Sequence, residues 1–197
     1  MTTKPHPAEG RAAQKSPPLE TSTAWPVREM ALLALVAGAV LLVDQVTKHL
    51  VLTYLPVGAA WAPIPALERW FTVTHVRNVG AAFGLFPQLA PVFLAIAVVV
   101  VVGIVVYARF LRPGDRWVAL SLGLMLGGAS GNLVDRLRIG HVVDFLDFKF
   151  WPVFNCADSA IVIGVGVLLW ALFWEPRQQP GQGRSEGAGG LPHAQDD

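Results

Sequence analysis

The stretch APVFLAIAVVVVVGIVVYA, Ala90 to Ala108, contains no charged residue and offers water no polar face. A helix needs about 20 residues, within a range of roughly 17–25, to cross the hydrocarbon of a bilayer. This run therefore reads as a transmembrane helix, and it sets the terms for the rest of the chain. Three more segments answer to the same description. MALLALVAGAVLLV followed by DQVTKHLVLTYL covers Met30–Leu55, WVALSLGLMLGGASGNLV covers Trp117–Val134, and SAIVIGVGVLLWALFW covers Ser159–Trp174. The expected helices run over about 30–55, 90–110, 117–137 and 155–174, the last beginning near Asn155. Together they make an all-α integral membrane protein with four transmembrane helices, in one domain spanning 29–175.

Composition agrees. Of 197 residues, 53% are hydrophobic and 15% charged, against roughly 45–50% and 25% in soluble domains. The net charge of +1 gives no electrostatic case for nucleic acid. Cys156 is the only cysteine, which excludes an intrachain disulfide and any multi-cysteine metal site. His6, His49, His75, His141 and His193 are scattered, with no HExxH and no i,i+4 pair, so no metal is expected. Residues 1–28 are rich in Pro, Lys, Thr and Ala and read as a disordered tail. Residues 176–197 read as a second, Gly/Gln/Pro-rich one. No small-residue cleavage site follows the first apolar run, which reads as an uncleaved anchor.

An even number of crossings puts both tails on one side. Arg109, Arg112 and Arg116 crowd the short link between the second and third helices, with Arg28 before the first and Arg177 after the fourth. By the positive-inside rule the tails and this link are cytoplasmic. Arg69, Arg77, Arg136, Arg138 and Lys149 fall on the other side and need a separate explanation. On that side residues 56–89 hold four prolines and the β-branched, aromatic run WFTVTHVR at Trp70–Arg77, which reads as a strand in a small extracytoplasmic β cradle. Residues 139–154 are dense in Phe and Trp, as interfacial segments are. Gly123, Gly127, Gly128 and Gly131 give the third helix small-xxx-small spacings that favour close packing.

Ionisable groups cost about 2.5–3.5 kcal/mol each at the centre of a membrane helix, so those that occur point to a role. Asp44 and Lys48 stand at i,i+4 and can pair on one helix face. Asn132, Asp135 and Arg136 share a face at the outer end of the third helix, where acid and guanidinium can satisfy one another. Asp144 lies in VVDF with no basic neighbour except Lys149. Asp158 lies in FNCAD, where Asn155 suits the N-cap and Asp158 the third position of the fourth helix. With this topology all four clusters converge at the outer ends of their helices. Two carboxylates close together can hydrolyse a peptide, one taking a proton from water while the other, protonated, polarises the carbonyl. Their mutual repulsion keeps one neutral. A first-turn position favours the ionised form of Asp158 and leaves the shared proton to Asp144. No Ser/His/Asp or Ser/Lys set stands out, and Cys156 has no histidine beside it.

DQVTK at 44–48, RNVGAAFG at 77–84, GGASGNLVDR at 127–136, VVDF at 142–145 and FNCADSAI at 154–161 resemble the motifs of the bacterial lipoprotein signal peptidases, signal peptidase II, over roughly residues 30–175. The resemblance implies an aspartic endopeptidase of the bacterial cytoplasmic (inner) membrane. It would cut the signal peptide from diacylglyceryl-modified prolipoproteins just before the lipidated cysteine, near the outer leaflet. It implies Asp144 and Asp158 as the catalytic pair. Asn78, Asn132 and Arg136 would hold the substrate backbone or shape the site, and Asp44, Lys48, Asp135 and Asn155 would support it. Residues 56–89 become the β cradle and 139–154 a gating segment. The partners implied are diacylated prolipoprotein signal peptides and membrane lipids, with no cofactor and a monomeric protein. The competing class is a carboxylate-dependent membrane transporter, which would place its acids near the midplane.

Overall fold

The computed structural model describes residues 26–80 and 89–174. The readings made for both tails, up to residue 25 and from 176, and for residues 81–84 of the RNVGAAFG motif lie outside them. Four helices long and apolar enough to cross a membrane carry the fold: α1 (Val27–Tyr54), α2 (Ala90–Ala108), α3 (Arg116–Ile139) and α4 (Cys156–Trp174).

Their ends differ from the expected ones for local reasons. α1 starts before its apolar run, directly after Pro26, so Val27 and Arg28 belong to the helix and not to the tail. A proline has no N–H to lose at a helix start, and Glu29 in the first turn suits the positive end of the dipole. α2 stops at Ala108 because Arg109 and Phe110 bond back three residues, to Val106 and Tyr107, and tighten into a turn. α3 runs on to Ile139. It is closed there by Gly140, whose φ of 76° is left-handed and whose N–H bonds to the Arg136 carbonyl.

α3 is the centre of the bundle. Half of its membrane-spanning window is buried in the protein, against 6% for α2. Its glycines make this possible. A Cβ on Gly127 would lie 2.7 Å from the Ala37 carbonyl of α1, and one on Gly128 would run into the Ala157 carbonyl of α4. One apolar cluster, Leu33, Ile104, Ala108, Leu111, Ala119 and Leu122, joins α1, α2 and α3 at the end of the bundle where the α2–α3 link lies. The other faces of the helices expose Val, Leu and Ile, as lipid-facing surfaces do.

At the opposite end sits a three-stranded antiparallel sheet in the order β1 (Ala60–Trp61), β2 (Phe71–Asn78), β3 (Val142–Phe148). The third strand was not foreseen. The stretch read as a gating segment divides in two: Val142–Phe148 pairs with β2, while Lys149–Phe154 turns back so that Phe154 bonds to Phe145 and Leu146. Phe148 joins the two parts, stacked on Phe154 at 5.9 Å and tilted against Phe71 at 4.9 Å. Val143 and Phe145 pack with Val51 of α1. His75 Nδ1 meets the Leu55 carbonyl at 2.8 Å, which ties β2 to the end of α1.

Candidate active site

Five elements bring their polar residues to one place, at the sheet end of the bundle. α1 supplies Asp44, Gln45 and Lys48; α3 supplies Asn132, Asp135 and Arg136; β2 and β3 supply Asn78 and Asp144; α4 and its cap supply Asp158 and Asn155. All nine residues singled out in the sequence belong to this assembly.

Its base is a buried ammonium. Lys48, 1% exposed, spends its three N–H donors on three acceptors, each at 2.9 Å: Asp44 Oδ2, Asp135 Oδ2 and Asn132 Oδ1. Charges buried in this way persist only when paired and fully bonded, and both carboxylates are. Asp44 Oδ1 takes the Ala157 N–H at 3.0 Å; Asp135 takes the Val143 N–H at 3.2 Å and Gln45 Nε2 at 3.0 Å. The Asp44–Lys48 pair expected on α1 is thus half of a larger group. Asp135 and Arg136, by contrast, do not satisfy one another. Adjacent residues on a helix point in different directions, so Asp135 turns to Lys48 while Arg136 faces a cavity and its Nη1 donates to the Asn132 carbonyl at 3.3 Å. The close approach of α1 and α3 depends on Gly131, where any Cβ would meet the Asp44 carboxylate.

Above this base, three side-chain amides hold two carboxylates. Lys48 on Asn132 Oδ1 fixes which way that amide faces, and its Nδ2 then donates to Asp158 Oδ1 at 2.8 Å. Asn155 caps α4. Its Oδ1 accepts the Asp158 N–H at 2.9 Å, and Asp158 Oδ2 accepts the Asn155 N–H at 3.3 Å, a reciprocal capping box. The same asparagine turns Nδ2 to Asp144 Oδ1 at 2.7 Å. Asn78 Nδ2 donates to Asp144 Oδ2 at 2.9 Å, while its own Oδ1 accepts the Gly80 N–H. The register explains this last contact. Val76 pairs with Asp144 and Asn78 with Val142, so Asn78 and Asp144 are diagonal neighbours on one sheet face.

Asp144 and Asp158 both line a cavity of about 430 Å³ with Asn78, Asn132 and Arg136. Its other walls are Phe93 of α2, Val142, and the turn Trp151–Phe154. Burial pushes the Asp144 carboxyl up to about 6; the negative charge of Asp158 adds to the rise, and the amides of Asn78 and Asn155 oppose it. An acid poised there keeps or loses its proton near neutral pH. Two carboxylates at one cavity wall, one of them titrating near neutrality, are an arrangement suited to general acid–base chemistry.

Two contributors were not singled out in the sequence. Gln45 bridges Asp44, Asp135 and the Gly131 carbonyl. It carries no charge, and its partners on α3 are 86 and 90 positions away, so the only available signal was an amide in an apolar helix. Phe93 reaches the cavity from an otherwise lipid-like helix, with no signal at all.

A family model for signal peptidase (SPase) II matches residues 36–174. A lipoprotein signal peptidase of Moorella thermoacetica is 46% identical over 145 residues, covering 74% of this chain and 95% of the relative. One of Desulfitobacterium hafniense is 47% identical over 144 residues, covering 72% and 93%. A bacterial membrane enzyme solved by the in meso method at 2.3 Å superposes with a TM-score of 0.67 at 29% identity, over 76% of this chain and 94% of that one. A second such enzyme, solved at 1.9 Å, gives 0.66 at 31% identity, over 74% and 95%. With five motifs, four spanning helices and these relatives in agreement, the chain belongs to the signal peptidase II family and is a multi-pass membrane peptidase.

Proposed function

We propose that the protein is an aspartic endopeptidase that removes the signal peptide from diacylglyceryl-modified prolipoproteins, cutting just before the lipidated cysteine, with Asp144 and Asp158 as its catalytic pair. One observation carries this reading: Asn155 holds both carboxylates at the wall of a single cavity, Asp144 through its side-chain amide and Asp158 through its backbone N–H. In the reaction, water between the acids loses a proton to Asp158 and its oxygen attacks the scissile carbonyl. Asp144 gives its proton to the carbonyl oxygen. The tetrahedral intermediate then collapses, the C–N bond breaks, and the departing amine takes the proton from Asp158 while Asp144 recovers its own.

The raised pKa of Asp144 suits it to hold the proton that the pair shares. The amide of Asn78 is committed on both sides, so its role is to shape the site. Arg136 bonds the Asn132 carbonyl through Nη1 and lines the cavity, where its remaining donors suit a substrate backbone carbonyl. Asp44, Lys48 and Asp135 support the amides from below. The turn Lys149–Phe154, with Trp151 64% exposed at the cavity mouth, is suited to gate it. The site opens toward the outer leaflet, both termini are cytoplasmic, and the protein acts as a monomer. A transporter would hold its acids at the midplane of the helices; here they gather at one end beside a sheet.

The test is cleavage of a diacylated lipobox peptide by the purified full chain. Wild type is expected to cut it before the cysteine. Asp144→Asn and Asp158→Asn are each expected to lose about a thousandfold in rate. Substantial activity in either variant removes the dyad, and equal cutting of the unlipidated peptide removes the substrate.

A further inference from the structure

At the end of the bundle away from the site, α1 and α3 leave a shallow groove of about 260 Å³ lined by Leu32, Arg116, Trp117 and Leu120. Its construction is specific. Trp117 stands edge-on to Trp170 of α4, with ring centroids 5.0 Å apart, and this packing fixes the indole. The Arg116 guanidinium lies over the Trp117 ring, 5.9 Å from its centroid. An exposed arginine is thus held on an aromatic face instead of on an acid.

The acids of this end are used elsewhere. Glu29 of α1 accepts the Gly114 N–H at 2.8 Å, and Asp115 accepts the Arg112 N–H at 2.9 Å. Those bonds pin the α2–α3 link against the start of α1 and keep Arg112 and Arg116 at this end, which also carries Arg28 and Arg109. Among the described residues none of these four arginines forms an ion pair. The apolar lining of Leu32 and Leu120 therefore meets the guanidinium group of Arg116, which forms no ion pair among the described residues, with a tryptophan at the junction.

That sequence of surfaces, apolar then aromatic then cationic, matches one class of molecule. A phospholipid offers an acyl chain, a glycerol region and a phosphate in the same order, and basic pockets between helices favour anionic head groups. We propose that this groove holds one anionic phospholipid of the leaflet opposite the candidate active site, its chain along Leu32 and Leu120 and its phosphate on Arg116. Arg112 adds to the field at the head group. The site is separate from the peptidase cavity and does not depend on the assignment of Asp144 and Asp158.

Native mass spectrometry of the full chain, released from detergent micelles carrying either phosphatidylglycerol or phosphatidylcholine, tests it. Wild type is expected to retain one phosphatidylglycerol in clear preference to phosphatidylcholine. Arg116→Gln is expected to lower that retention about fivefold, while thermal unfolding in the same micelles at the wild-type temperature shows that it is folded. Arg138→Gln, an exposed arginine at the other end of α3, is expected to leave retention unchanged. Equal retention of the two lipids, an Arg116→Gln variant that holds lipid as wild type does, or an equal loss in Arg138→Gln would overturn the proposal. So would displacement of the lipid by inorganic phosphate alone, which would make the site one for the free anion.

Discussion

Among the described residues, lysine is bound to aspartate in two settings. Lys48 lies between α1 and α3, 1% exposed, bonded to two carboxylates and an amide. Lys149 lies at the rim of the sheet with its side chain 39% exposed, 2.6 Å from Asp147, and shares that acid with Thr72 and Thr74. Both clusters have short bonds and satisfied donors. They differ in solvent and in what they lead to. Water stands ready to replace any partner of Lys149, and its bonds end in its own cluster. Nothing can replace a partner of Lys48, and its bond to Asn132 continues to Asp158. Bond length alone says little about the worth of an ion pair; burial and connection decide it.

The most severe break in this contrast is Lys48→Met. Removing the ammonium strands Asp44 and Asp135 in the interior, and loss of one partner of a buried pair costs about 3–5 kcal/mol. Unfolding in mixed micelles should register that loss, with cleavage lost alongside it. Gly131→Ala probes the same cluster from the backbone side. Its new methyl group meets the Asp44 carboxylate, and over-packing of this kind costs about 1–3 kcal/mol, measured in the same way.

A pH profile sharpens the link to the site. The Asp144 carboxyl, raised to about 6, carries a proton below that pH and loses it above, so cleavage should decline as pH rises through that value. Asn78→Val removes a donor that favours the ionised form. The alkaline limb should then move to higher pH, and a limb that stays put would separate Asn78 from the proton on Asp144. The smallest effect belongs to Lys149→Met, expected to cost about 0–1 kcal/mol and to leave the profile where it was. If it destabilises the protein as much as Lys48→Met does, the contrast between the two lysines fails.

The four helices were readable because a bilayer imposes length and hydropathy on any segment that crosses it, and Ala90–Ala108 could be little else. The meeting of Asp44, Lys48, Asn132, Asp135, Asn155 and Asp158 was also accessible, since helical spacing puts each cluster on a face and an even number of crossings puts the clusters at one end. Two things were not. β3 pairs with β2 across some seventy positions, and VVDFLDF shows too little alternation, with both of its faces partly covered, to announce a strand. Asp135 and Arg136, at i+3 and i+4 from Asn132, share a face by helical spacing, and that alone suggests that acid and guanidinium satisfy one another. Only the approach of α1, bringing Lys48, decides which way each turns.

The hydrogen bonds that begin α4 have one more consequence. The Asn155 side-chain amide caps α4 through its oxygen and holds Asp144 through its nitrogen, so the helix start and the placing of the two acids are tied together. Asp158 enters with α4, so the two carboxylates share a cavity only once this helix has joined the other three. On the proposed dyad, completing the topology is what arms it.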